Sequence, residues 1–194
     1  MLAYSDVIEE RVPVGQRVAI IGAGGIGFDV AEMLTHEDLG THTEREHFAA
    51  TWGIDYTVTG CGGLVHPQTP KPARQVWLLQ RNKESLGKRL GKTTGWIRRA
   101  LMGRRSVQIW AGIEYHRIER EGNALVLHMS VRGEPRALVV DTIVVCAGQD
   151  AENTLLPTLL DAGLKVTPIG GARLAGELDA TRAIDEGTRL AASL

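Results

Sequence analysis

Residues 18–27 read Val-Ala-Ile-Ile-Gly-Ala-Gly-Gly-Ile-Gly, and no other stretch of the chain narrows the possible folds as far. Four apolar residues, two of them isoleucine and one valine, suit a strand buried on both faces of a parallel sheet. They run directly into Gly-x-Gly-x-x-Gly, and Phe28 to Leu34 continue with helical spacing. Strand, tight turn and helix is the order in which such glycines meet a dinucleotide. Gly22 permits the sharp turn, Gly24 keeps a Cβ out of the path of a pyrophosphate, and Gly27 lets the helix lie close on the strand. The helix start adds free N–H groups and the positive end of a dipole. Gly22, Ala23, Gly24, Gly25, Ile26 and Gly27 are therefore the expected pyrophosphate loop.

The remaining composition removes whole classes of function. A net charge of -1 over 194 residues lacks the basic excess of a general nucleic-acid binder. No apolar run approaches the ~20 residues of a membrane helix. The acidic start, MLAYSDVIEE, carries no signal-peptide pattern, so a cytoplasmic location is the expectation. Cys61 and Cys146 are the two cysteines, and without a Cys-x-x-Cys they encode no redox dithiol, zinc site or iron–sulfur site.

Along the chain, residues 1–16 read as a connecting segment with a Pro13-Val14-Gly15 turn. Residues 36–74 break the periodicity with Gly, Thr, His and Pro, and read as an insertion covering one edge of the sheet. Residues 75–81 form a second strand. Thr93 or Thr94 is placed to cap a helix over 95–103, and 107–110 form a third strand. Residues 113–118, 124–129 and 136–140 read as strands joined by Glu121-Gly122-Asn123 and Arg132-Gly133-Glu134, the tight turns of antiparallel neighbours. Residues 141–146 return to a buried parallel strand. Beyond them, 154–162 suit a short helix, Val166 to Gly171 a strand ending on two glycines, and Glu177 to Leu190 a helix. The fold class is α/β: a Rossmann-like domain of parallel sheet, helices and a three-stranded antiparallel meander over 17–150, followed by a C-terminal strand–helix piece over 151–194.

Arg81 closes the second strand, where this fold sets the adenine ribose. An acidic residue there would take the 2′-hydroxyl of NAD, whereas an arginine suits the 2′-phosphate of NADP(H), with Lys83 as a second charge. The position lies well past the roughly 20-residue offset of the simple motif, and the 36–74 insertion accounts for the excess. Lys88, Arg89 and Lys92 make the next loop basic, a solvated surface or a phosphate contact. Gly91-Lys92-Thr93 is not a P-loop, because Leu86 stands where that motif needs glycine. Ala147 and Gly148 are small enough to let the chain pass close to a bound nucleotide. Cys146 reads as a buried small hydrophobe and not a nucleophile. His36, His42 and His47 show no ligand spacing, so no metal site and no catalytic side chain are expected. Gly170 and Gly171, between the expected strand and the last helix, make a candidate second helix end facing a phosphate or a flavin; from the residues alone an amphipathic helix docked on the sheet is the preferred reading.

The runs VAIIGAGGIGFDVAEML, WGID, LLQR, LGKTTGWIRR, VDTIVVCAGQ and IGGARLAGELDATRAIDEGTRLA resemble the C-terminal half of bacterial NADPH-dependent 2,4-dienoyl-CoA reductases. That family consists of iron–sulfur flavoenzymes related to trimethylamine dehydrogenase and old yellow enzyme, with a role in fatty acid β-oxidation. The resemblance covers nearly the whole chain, and LGKTTGW and ELDATRAI are its most specific runs. It implies an NADP(H)-binding domain followed by the returning piece of an FAD domain. The missing partners would be an N-terminal barrel with FMN, a four-iron cluster (4Fe–4S) and the substrate site, and the first half of the FAD domain. It further implies that Gly170 and Gly171 lead into a helix whose start, at Glu177, Leu178 and Asp179, lies near the flavin edge, where a positive helix end steadies negative charge. FAD would then have only one wall of its site here, with retention by this chain not expected. The equivalent domain of another barrel-fused enoate or amine reductase, and a non-catalytic nucleotide-binding module, remain the alternatives.

Overall fold

The computed structural model describes residues 1–36, 45–68, 71–84, 87, 90–91, 93–176 and 179–194. Two compact units emerge, Met1–Ala147 and Gly148–Leu194. The first is built on a five-stranded parallel sheet of β1 (Leu2–Ala3), β2 (Arg17–Ile21), β3 (Gln75–Gln80), β4 (Gln108–Ala111) and β8 (Thr142–Val145), in the order β1-β8-β2-β3-β4. Residues 1–16, read from the sequence as a connecting segment, supply β1 and the helix α1 (Tyr4–Ile8), with Leu2 paired to Val144.

The central strands are apolar at consecutive positions because both faces of the sheet are covered. Val18, Ile20, Val76 and Leu78 pack under α2 (Gly25–Thr35) and α4 (Gly95–Arg104) with Phe28, Val30, Leu101 and Met102. Ala19, Trp77, Leu79 and Ile143 face the other way, onto Leu125, Leu127, Met129 and Val140 of the meander. That meander is β5 (Ile113–Glu121), β6 (Ala124–Val131) and β7 (Glu134–Val140), all antiparallel. Its hairpins turn at Gly122-Asn123 and Arg132-Gly133. Arg132 (φ 53) and Gly133 (φ 91) both stand in the left-handed region, as a two-residue hairpin turn of the primed type requires.

Two local expectations fail in this unit. Thr94 precedes α4 with helical angles and makes no side-chain cap. A cap needs an extended residue there so that its hydroxyl reaches back to the first amides. Among its described residues the insertion joins no strand of the parallel sheet. Its helix α3 (Arg45–Trp52) lies on the helical layer, where Trp52 joins the core beneath α2 and Arg104 stacks over the Trp52 ring at 4.6 Å and donates to the Thr51 carbonyl.

The second unit holds α5 (Leu155–Asp161), α6 (Gly170–Arg173) and α7 (Ala180–Ala192). The strand expected over Val166 to Gly171 is absent: residues 164–169 run as irregular chain into α6. A strand exists only as part of a ladder, and the described residues of this unit include no other strand to pair with. The last helix starts at Ala180 instead of Glu177, because the Asp179 side chain accepts the Arg182 amide at 2.8 Å and so sets the N-cap. Among the described residues, no helix is long and apolar enough to cross a membrane.

Candidate functional site

The loop between β2 and α2 contains two kinds of glycine. At Gly22 (φ +113) an added Cβ would lie 2.5 Å from the Cys146 carbonyl oxygen, and at Gly27 it would collide with the carbonyl oxygen of Gly22. The protein itself explains both: the chain crosses tightly against the end of β8, and the helix then lies on the turn. At Gly24 and Gly25 an added Cβ would meet nothing within 4 Å. Packing does not require those two glycines, so their bare backbone is a cradle open on its outer side. Gly24 is the N-cap of α2, in extended conformation and with no side-chain cap, and the first helical hydrogen bond runs from the Phe28 amide to the Gly24 carbonyl at 3.1 Å. The earlier amides of the helix thus point out of its start, where the dipole is positive and a phosphate fits. Ala23 and Ile26 turn inward and anchor the loop on the helical-side core.

The neighbouring strand brings in positive charge. Ile21 is in register with Leu79, and the Gly22 amide donates to the Leu79 carbonyl at 2.9 Å. Two residues on, Arg81 leaves the same edge of the sheet as the glycine loop, exposed. The turn after it is held by the Gln80 amide, which donates to the carbonyls of Asn82 and Glu84 at 3.0 Å each, and by the Glu84 amide, which donates to Asn82 Oδ1. Lys83 is exposed on that turn. Tyr115 stands behind it: burial pushes its phenol up to about 12, partly offset by the Arg81 charge. Among the described residues its hydroxyl is buried without a hydrogen-bond partner. Nothing in the sequence marks Tyr115, Gln80 or Asn82, since their role depends on which strand ends meet.

On the other side of the loop the Cys146 amide donates to the Ile21 carbonyl at 2.8 Å. Burial drives its thiol up to about 12, so at neutral pH it is a protonated packing group and no nucleophile. Ala147 follows, exposed, at the end of β8. Gly148, which opens the second unit, has φ +85 and no atom within 4 Å of an added Cβ.

The second glycine pair is arranged differently. The Gly170 amide donates to Glu186 Oε2 at 2.7 Å, and the same carboxylate holds the Arg173 guanidinium at 2.5 Å. These contacts hold Glu186 down to about 2. The Asp179 carboxylate occupies the start of α7. The chain's own acids therefore hold the Gly170 amide and the start of α7, and Gly171 sits half-buried within α6. Glu177 and Leu178, and with them Leu86, Lys88, Arg89, Lys92 and His42, lie outside the described residues. His36 ends α2 within 3.9 Å of Glu32, and His47 lies on α3.

The family model for pyridine nucleotide-disulphide oxidoreductases matches residues 4–181. Among solved structures, the chain is similar to a 6-hydroxypseudooxynicotine amine oxidase from Pseudomonas geniculata N1, with 19% identity and a TM-score of 0.61. It is also similar to a 2-naphthoyl-CoA reductase, with 20% identity and a TM-score of 0.58. A third likeness is to a HOCl-induced flavoprotein disulfide reductase from Escherichia coli, with 15% identity and a TM-score of 0.53. The matches cover 97%, 96% and 94% of this chain but 23%, 22% and 37% of those proteins. At these identities the likeness is one of fold.

Proposed function

The chain belongs to the pyridine nucleotide-disulphide oxidoreductase family, whose members bind FAD and NAD(P), and on that premise we propose that it is the NADPH-binding portion of an FAD-dependent oxidoreductase of the 2,4-dienoyl-CoA reductase type. The observation that carries the nucleotide reading is the open cradle at Gly24 and Gly25 at the uncapped start of α2. The choice of NADPH over NADH is supported by Arg81 and Lys83 at the adjacent strand end, with no acid at Arg81's own position. The choice of dienoyl-CoA as the parent enzyme's substrate rests on the LGKTTGW and ELDATRAI runs alone. On this reading FMN, the iron–sulfur cluster and the acyl-CoA site belong to parts outside this chain.

The residues here bind and orient. The amides at the start of α2 take the pyrophosphate, Gly24 and Gly25 allow it to approach the backbone, and Arg81 and Lys83 take the 2′-phosphate. Ala147 and Gly148, past the end of β8, are small enough to let the chain pass close to the bound nucleotide. When bound, the nucleotide supplies the hydride that reduces the flavin, and the protein's contribution is position. The amide of Gly170 is already held by Glu186, so no role toward FAD is derived for it, and the purified chain is expected to be colourless. Calorimetric titration with NADPH and NADH tests the reading. Tighter binding of NADPH by roughly tenfold, the value of a charge-assisted phosphate contact, is the expected result; equal and very weak binding of both would overturn it.

A further inference from the structure

The loop that carries Lys83 is not held by its own strand alone. The Gly112 amide, between β4 and β5, donates to the Asn82 carbonyl at 3.0 Å, and the Gly112 carbonyl accepts from the Arg132 amide at 2.9 Å. Three distant segments are thus stitched in series: the turn after β3, the β4–β5 junction, and the tip of the β6–β7 hairpin. Gly112 has φ +73, and an added Cβ there would lie 3.2 Å from Lys83 Cγ and 3.3 Å from Arg132 Cγ. Both cationic side chains therefore leave the backbone past the same point. Arg132 itself is held at φ 53, an unfavourable conformation for a long side chain, and it is exposed. It borders a cavity of about 440 Å3 that also touches Trp110 and Arg136. Among the described residues, none of Arg81, Lys83 and Arg132 makes an ion pair, and the nearby acid Glu134 is joined to Arg136. Two like charges on side chains that leave the backbone past one point oppose folding slightly. An anion that occupies the space between them reverses the sign of that interaction.

We infer that Arg132, on the meander, is a specificity-determining residue that joins Lys83 in holding the 2′-phosphate monoester of NADPH. The inference rests on the nucleotide reading above. It differs from that reading in drawing a phosphate ligand from the antiparallel layer and not from the strand end that the motif designates. The backbone stitch through Gly112 supplies the preorganisation: the hairpin tip and the Lys83 turn share one hydrogen-bonded chain, so the backbone that bears the two cations is set before any ligand arrives.

The test uses the full chain and calorimetric titration with NADPH and NADH, for the parent and for Arg132→Asn and Arg132→Lys. Asparagine tolerates the left-handed backbone, so the hairpin is kept while the charge goes. NADPH binding is expected to weaken roughly tenfold in Arg132→Asn, with NADH unchanged and with a shallower dependence of NADPH affinity on salt; Arg132→Lys should recover part of the loss. A parent that prefers NADPH together with an Arg132→Asn variant that keeps the full preference overturns the inference and leaves the nucleotide reading standing. An equal loss for both nucleotides assigns Arg132 a structural role and also overturns it. A parent that binds neither nucleotide overturns both.

Discussion

The starts of α2 and α6 have the same outline in sequence, glycines leading into a helix, and the structure treats them in opposite ways. At Gly24 and Gly25 the backbone is open and no side chain caps the helix. At Gly170 the amide is taken by Glu186, and Asp179 caps the helix that follows. Glycine spacing specifies where a backbone can bend. Whether the freed amides are left for a ligand depends on whether a carboxylate sits within reach, and Glu186 lies 16 residues away from Gly170.

The largest test of this contrast lies inside the first loop. Gly27→Ala puts a Cβ into the Gly22 carbonyl, and a loss of about 3 kcal/mol or more in urea unfolding is expected, with nucleotide binding lost as well. Gly25→Ala, whose added Cβ would meet nothing within 4 Å, should leave the stability within about 0.5 kcal/mol of the parent. Its NADPH affinity should still fall about tenfold or more, because the ligand and not the protein needs that position bare. If both variants lose stability equally, the division of the loop into packing and ligand-facing glycines is wrong.

In the second unit the expected effects are smaller and independent of nucleotide. Asp179→Ala should cost about 1 kcal/mol through the lost cap, read as faster amide exchange in α7, with NADPH titration unchanged. Glu186 is depressed in the folded state to about 2. Its contribution is therefore fully present above the ordinary carboxyl value of about 4.3 and fades as pH falls toward 2. Helical circular dichroism and exchange of α6 and α7 between pH 5 and pH 2 should show this loss, and Glu186→Gln should flatten it. The smallest effect belongs to Tyr115→Phe: with a buried hydroxyl that has no partner among the described residues, the change should be neutral or stabilising by up to about 1 kcal/mol.

Much of the first unit was legible from the chain alone, because its signals are contiguous. The Val18–Ile21 run, the glycine spacing and the helical register of Phe28 to Leu34 all lie within 17 consecutive residues. The hairpins were legible because Gly122-Asn123 and Arg132-Gly133 are turn residues flanked by strand-forming runs. The Thr94 cap and the Val166–Gly171 strand were misread for a shared reason. Each needed a condition that composition does not show: an extended backbone at residue 94, and a second strand to complete a ladder.

Local chemistry thus sufficed to specify a strand, a tight turn and a helix start able to hold a phosphate, since every atom involved belongs to neighbouring residues. The company that helix start keeps was settled by long-range contacts: Leu79 bonded to Gly22, and the Asn82–Gly112–Arg132 stitch. Such contacts exist only after the sheet has chosen its strand order and the meander has folded onto it. The sequence motif therefore points to a dinucleotide, whereas which strand ends stand beside it is a product of the packed fold.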